Sequence, residues 1–189
     1  MSKIQIIPMG VKEHEMKGLP VEVKQCLSYW FGFPQTNVDC QVATAEDNIP
    51  HVRTMLLYKI TEAGHLIFLS RTDTQKWRDL QKSPNVSICL LHIGYGQILT
   101  EGGVTLKTKQ NDADEIEQYW DNMPYNFQKI YLSSEENAKE EIPSKFGIID
   151  VAPSFWEILE TDKNDYVKSK RQEFRLSNNT WQAKKLTPV

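Results

Sequence analysis

The chain has 189 residues, enough for one domain of ordinary size with its own core. Forty per cent of the residues are apolar and ten per cent aromatic, which supplies ample core material. The formal net charge of −3 excludes the strongly basic balance that nucleic acid or an anionic membrane surface selects. No apolar run approaches a membrane span, and the N-terminal stretch lacks the continuous apolar segment of a secretory leader. Cys26, Cys40 and Cys89 are odd in number and far apart, with no metal or disulfide spacing. The expectation is a cytoplasmic protein with reduced thiols and no metal site.

Residues 1–17 read as an N-terminal arm, and residues 18–189 as a single domain. Gly18 to Phe31 is a helix with Pro20 near its start, and Val23, Leu27, Trp30 and Phe31 form one apolar stripe. Phe33-Pro34 ends it. Asn37 to Ala45 alternates as a strand, and Glu46-Asp47-Asn48 turns the chain. From His51 to Ile60 a second strand sets Val52, Leu56 and Ile60 on one face and Arg53, Met55, Leu57 and Lys59 on the other. Thr61 to Gly64 is a hairpin connection, with Gly64 free to take positive φ. Leu66 to Leu69 is the return strand.

A short helix follows. Thr72 is its expected cap, Gln75 reaches back as in a capping box, and Trp77 and Leu80 face inward. Ser83-Pro84 stops it near Gln81. Val86 to Leu91 reads as a strand buried on both faces. After a loop at 92–96, Gln97 to Lys107 is a strand in which Gly102-Gly103 marks a bulge or a close backbone approach. Asn111 caps a helix whose inward face is Ile116, Tyr119 and Trp120; Met123-Pro124 breaks it, and Tyr125 to Leu132 forms a second short helix. Residues 133–144 read as a mobile polar loop. Phe155 to Glu160, Tyr166 to Leu176 and Trp181 to Leu186 are three further strands, the last pair turned at Ser177-Asn178-Asn179. Hairpins in series with a few short helices predict a mainly β, antiparallel barrel with peripheral helices.

Chemistry concentrates where the return strand meets its helix. A helix N-terminus offers unpaired backbone N–H groups and partial positive charge. Thr72 and Thr74 add hydroxyls, Lys76 an ammonium, and Arg53 stands on a neighbouring strand. Such a set can hold a dianionic phosphate. The same residues also serve an ordinary capped surface helix with a solvated lysine, and spacing alone leaves both readings open. His51, His65 and His92 have no chemical context that separates them from turn and surface residues.

Three segments break that tie: Arg53-Thr54-Met55-Leu56-Leu57-Tyr58, Phe68-Leu69-Ser70-Arg71 and Thr74-Gln75-Lys76. Together they resemble the FMN-binding segment of the pyridoxamine 5'-phosphate oxidase family, with its Arg-x-x-Leu-Leu-Lys strand, hydroxyl strand end and Ser-Arg-Lys helix start. Ser83-Pro84-Asn85-Val86 is similar to that family's Asn-Pro-x-Val, Gln97 and Gly102 to the strand that follows, and Trp181 to Pro188 to its final strand. The resemblance implies an antiparallel six-stranded split β-barrel of the FMN-binding type. It also implies FMN as cofactor and a homodimer with each flavin at the interface. The cofactor-binding residues it implies are Arg53, Thr54, Met55, Leu56, Ser70, Thr74, Gln75, Lys76 and Gln97.

The departures gather at the substrate pocket, which the resemblance places at Tyr58, Tyr119, Met123 and Phe127. Tyr58 stands where the family has lysine, Met123 where it has a substrate arginine, and Phe127 where it has serine. Its Arg-Leu-His-Asp-Arg motif is absent, with Tyr166 to Arg171 nearby instead, and the register of Phe155-Trp156 against the family's Phe-Trp pair stays open. The expectation is an FMN-dependent oxidoreductase acting on a substrate other than pyridoxamine 5'-phosphate. The alternative is a non-enzymatic flavin- or small-molecule-binding protein of the same fold. No catalytic residue is assigned.

Overall fold

The computed structural model describes residues 16–132 and 142–187; the expected arm and the 133–144 loop fall largely outside them. The first helix, α1, spans Val21–Phe31, with Pro20 at its N-cap rather than inside it. Val23, Leu27 and Trp30 are its buried stripe, and Gly32 at φ 65° ends it in the left-handed conformation.

β1 (Val38–Glu46) and β2 (Ile49–Leu57) form a hairpin. Its two turn residues, Asp47 and Asn48, both have positive φ, the backbone that matches the strand twist. Arg53, Met55 and Leu57 take the inner face of β2, while Val52 and Thr54 face out. Tyr58 interrupts the expected strand, so β3 is only Lys59–Ile60. β4 (Leu66–Arg71) returns through Gly64 at φ 87°.

Helix α2 spans Gln75–Lys82 with Thr74, not Thr72, at the N-cap. The expected capping box does not form, because the Thr72 N–H is drawn to the carbonyl of Lys145, 2.8 Å away, and Gln75 turns to other partners. β5 (Asn85–His92) alternates instead of burying both faces: Val86, Ile88 and Leu90 point inward, and Leu91 is 59% exposed. β6 (Gly96–Thr108) follows. α3 (Ala113–Asp121) is preceded by Asp112 at the N-cap position, since the Asn111 side chain is spent on the Thr108 N–H. α4 spans Tyr125–Leu132.

The longest strand, β7 (Phe146–Glu160), begins nine residues before the strand expected at Phe155. Phe146 to Val151 is the part that sequence patterning missed. A single turn of tighter helix at Tyr166–Lys168 shortens the next expected strand to β8 (Lys170–Ser177), and β9 (Thr180–Leu186) pairs back through Asn178 and Asn179, both at positive φ.

One antiparallel sheet collects all nine strands of the described residues in the order β2-β1-β5-β6-β7-β4-β3, with the β8–β9 hairpin branching from β7. β7 pairs with β6 along its length, with β4 through its first half and with β8 through its second. The sheet curls without closing. β2 is laddered to β1 alone, and the Tyr58 N–H to the Ile67 carbonyl (3.0 Å) stitches only its end towards β4. The remaining edge of β2 is the split in the barrel, and α2 and α4 flank it. Leu27, Phe68, Ile88, Trp156 and Phe174 fill the barrel. A second cluster of Tyr58, Tyr119, Trp120, Tyr131 and Phe146 lies under α3 and α4. Among the described residues no helix is long and apolar enough to cross a membrane.

The register shift at Glu101/Gly102 makes β6 follow the bend of β7. A Cβ on Gly102 would sit 2.3 Å from the Ala152 carbonyl oxygen. Gly102→Ala is therefore expected to cost about 1–3 kcal/mol, read as a lower denaturation midpoint at unchanged slope. An unchanged midpoint would show that the two strands separate freely there.

Candidate functional site

The open edge of β2, the start of α2 and the side of α4 enclose a groove of about 220 Å³. Thr54, Met55, Leu56 and Tyr58 form one wall; Leu69, Lys76 and Phe127 form the other.

Lys76 is half-buried and has no hydrogen-bonding or ion-pair partner among the described residues. Burial, and then the charge of Arg53, push its pKa below the ordinary lysine value, with Asp73 partly opposing them. A half-buried cation beside a second cation is favoured by a nearby negative charge. The backbone N–H of Lys76 and that of Gln75 likewise have no acceptor among the described residues, as the first amides of a helix do not. Together they put the positive end of the helix beside Lys76.

Arg53 stands behind Lys76 on the inner face of β2. One of its terminal nitrogens donates to Thr44 Oγ1 (2.7 Å) and to the Val42 carbonyl (3.2 Å); the other lies 3.5 Å from Asp79. Asp79 is wholly buried. Thr44 Oγ1 donates to its Oδ2 at 2.5 Å, Gln75 Nε2 to its Oδ1 at 2.8 Å, and His51 Nδ1 lies 3.0 Å from Oδ2. Burial alone would raise the carboxyl pKa. The hydrogen bonds from Thr44, Gln75 and His51 outweigh it and hold the group below the usual carboxylate range.

The other expected cofactor residues fall unevenly. Thr54, Met55 and Leu56 line the groove beside Lys76. Ser70 and Thr74 come to the same corner, but each hydroxyl donates to the Arg71 carbonyl, at 3.1 and 2.9 Å. The Gln75 amide is engaged on both sides, donating to Glu46 and Asp79 and accepting from Arg78. Gln97 is not brought to this groove: three strand spacings, about 14 Å, separate β6 from β2. It does share the outer face with Thr54, through the register Thr54–Gln41–Cys89–Leu99.

Of the expected substrate-pocket residues, Tyr58 and Phe127 line the groove with their rings near parallel, centroids 6.4 Å apart. Burial raises the Tyr58 pKa, so this wall stays neutral. Tyr119 meets the far side of Tyr58 at 5.9 Å and borders a small dent with Lys59, Gln118 and Asn122. Met123 is buried in the cluster beneath and lines neither hollow.

Sequence reasoning missed Asp79, Thr44 and His51. Their signals were present but ordinary. His51 and Arg53 are two apart on one strand, Thr44 is the register partner of His51, and Asp79 is one helical turn after Gln75.

The family model for pyridoxamine 5'-phosphate oxidase matches residues 33–159. No curated protein matches the sequence. Among solved structures, a pyridoxamine 5'-phosphate oxidase-related FMN-binding protein from Nostoc punctiforme superposes with a TM-score of 0.73 at 17% identity, covering 91% of this chain and 100% of that one. PhzG from Burkholderia lata, in complex with tetrahydrophenazine-1-carboxylic acid, gives 0.69 at 17% identity, over 96% and 100%. A protein related to general stress protein 26 from Clostridium acetobutylicum gives 0.53 at 11% identity, over 93% and 97%. At these identities the structures establish the shared split-barrel fold. With a family match spanning most of the barrel, the chain belongs to the pyridoxamine 5'-phosphate oxidase family.

Proposed function

We propose that this protein binds FMN in the groove along β2 and works as a flavin-dependent oxidoreductase on a substrate other than pyridoxamine 5'-phosphate. The observation that carries the reading is Lys76, a half-buried ammonium without a partner among the described residues, at the end of a groove walled by an open strand edge. The donor set fits the cofactor. Lys76, Arg53 and the first amides of α2 suit a phosphate dianion, and Ser70 and Thr74 serve it only by turning their hydroxyls away from the Arg71 carbonyl. The unladdered backbone of Thr54 to Leu56 suits a polar ring edge, and Met55, Leu56 and Leu69 suit a flat apolar ring. When bound, FMN supplies the electron transfer, and the protein supplies position and a dry pocket.

The test is the absorbance spectrum of the purified protein, which is expected to be yellow and to release flavin more readily in excess inorganic phosphate. A colourless protein that takes up no added FMN would overturn the reading. The nearest alternative, a flavin carrier without turnover, draws support from the groove walls, which contain no carboxylate or histidine to move a proton. Reduction of the bound flavin by a nicotinamide or amine donor separates the two.

The same reading places two chains together with a flavin at their interface. Val52 (66% exposed) and Leu91 (59% exposed) leave apolar surface on the outer sheet face that also holds Thr54 and Gln97. Gln97 is too far from its own groove, so it serves a flavin only across such an interface. Two chains are expected to sediment together at micromolar concentration, and Val52→Asp to separate them; a monomeric parent protein would remove this part of the proposal.

A further inference from the structure

We propose that Asp79 and Thr44 are positioning residues that aim Arg53, and that this buried clamp sets the site's preference for a phosphorylated over an unphosphorylated flavin. The inference rests on the FMN reading above and deepens it.

A carboxylate that is fully buried and still charged is costly unless its surroundings use it. Asp79 gathers three elements onto one group: Thr44 from β1, His51 and Arg53 from β2, and Gln75 from α2. Gln75 immediately precedes Lys76. The carboxylate therefore fixes, from behind, both elements that bring a cation to the groove, while lining no part of the groove itself. It also lies next to Arg53, whose charge disfavours the charged form of Lys76. Thr44 is the hinge of the clamp: its hydroxyl accepts from Arg53 and donates to Asp79, so one group sets the direction of the guanidinium.

Charge and position pull opposite ways at Asp79. Removing its negative charge would by itself favour a phosphate. Losing the clamp frees Arg53 to turn and leaves the donors of Thr44, Gln75 and His51 without their acceptor. Position outweighs charge in this proposal, because the arginine lies beside the carboxylate and offsets its field.

The experiment measures FMN and riboflavin dissociation constants by flavin fluorescence for the parent, Asp79→Asn and Thr44→Val, with circular dichroism to establish folding. Thr44→Val keeps the shape and the net charge of the buried site, so it reads position alone and stands in if Asp79→Asn does not fold. Both variants are expected to lose about tenfold in FMN affinity with riboflavin affinity unchanged. Thr44→Val made on top of Arg53→Ala is expected to have no further effect, since Thr44 acts through that arginine, whereas Asp79→Asn keeps a residual effect through Gln75. An unchanged or larger FMN-to-riboflavin preference in Thr44→Val would overturn the inference, as would a full additive loss in the Arg53→Ala background. A parent protein that binds riboflavin as tightly as FMN would instead overturn the phosphate reading beneath it.

Discussion

Lys76→Ala is expected to weaken FMN binding by about tenfold or more while leaving the flavin-free protein as stable as before. A charged contact to phosphate is typically worth about 1.5–3 kcal/mol, and each 1.4 kcal/mol is a factor of ten in affinity. Lys76 has no hydrogen-bonding or ion-pair partner among the described residues, so its charge does little for the fold. Its depressed pKa means that the folded chain disfavours its proton, and removing the ammonium takes no support from the fold. Arg53→Ala is expected to differ in kind. It weakens FMN by a similar factor, and it also strips Asp79 of its guanidinium, leaving a buried carboxylate held by neutral donors and by His51. Losing one partner of a buried ion pair costs about 3–5 kcal/mol, and the remaining hydrogen bonds of Asp79 put this case at the lower end. Flavin titration and chemical denaturation, run on the same two variants, separate the roles. If both variants hold FMN as tightly as the parent, the phosphate has been placed at the wrong end of the groove.

The turns, and the meeting of Arg53 with the start of α2, were legible in the sequence because their causes are local. Asp47-Asn48 and Asn178-Asn179 announce tight hairpins through residues that tolerate positive φ, and Gly64 does the same before β4. Arg53 and Lys76 were left open by spacing alone and were singled out by the resemblance of their segments. What escaped was set at a distance. Thr72 looks like a cap, but the Lys145 carbonyl takes its N–H, so the helix begins two residues later. Phe146 to Val151 is an apolar run followed by Pro153 and Ser154, which hid the start of the strand that three others pair with. Asp79 reads as one more acid on a surface helix until β1 and β2 fold over it. Gln97, assigned to the flavin by resemblance, lies three strands from the β2 groove of its own chain, a separation that only the strand order reveals.

Pyridoxamine 5'-phosphate is expected to be a poor substrate, turned over by the flavin-loaded protein well below about 1 per second, the low end of ordinary enzyme rates. A substrate phosphate leaving water needs a fixed cation, best a bidentate guanidinium. The groove beside Lys76 offers Tyr58 and Phe127 instead, two neutral rings lying near parallel. Met123, at the position where the resemblance puts an arginine, is 4% exposed and packed in the apolar cluster, so it neither charges nor lines the groove. The C-terminal cations that stand in place of the missing motif pair elsewhere. Lys168 pairs with Asp165 at 3.2 Å, Lys170 with Glu160 at 3.7 Å and Arg171 with Glu157 at 2.9 Å. Lys59 borders the neighbouring dent, its ammonium 5.8 Å from the centre of the Tyr119 ring, and a single flexible point charge holds a dianion weakly. An aromatic wall of this kind favours a flat substrate with less charge. The measurement is oxygen-dependent formation of the aldehyde from pyridoxamine 5'-phosphate. A rate of about 1 per second or faster would mean that a charged group enters the groove on binding, and that Tyr58 and Phe127 do not define its chemistry.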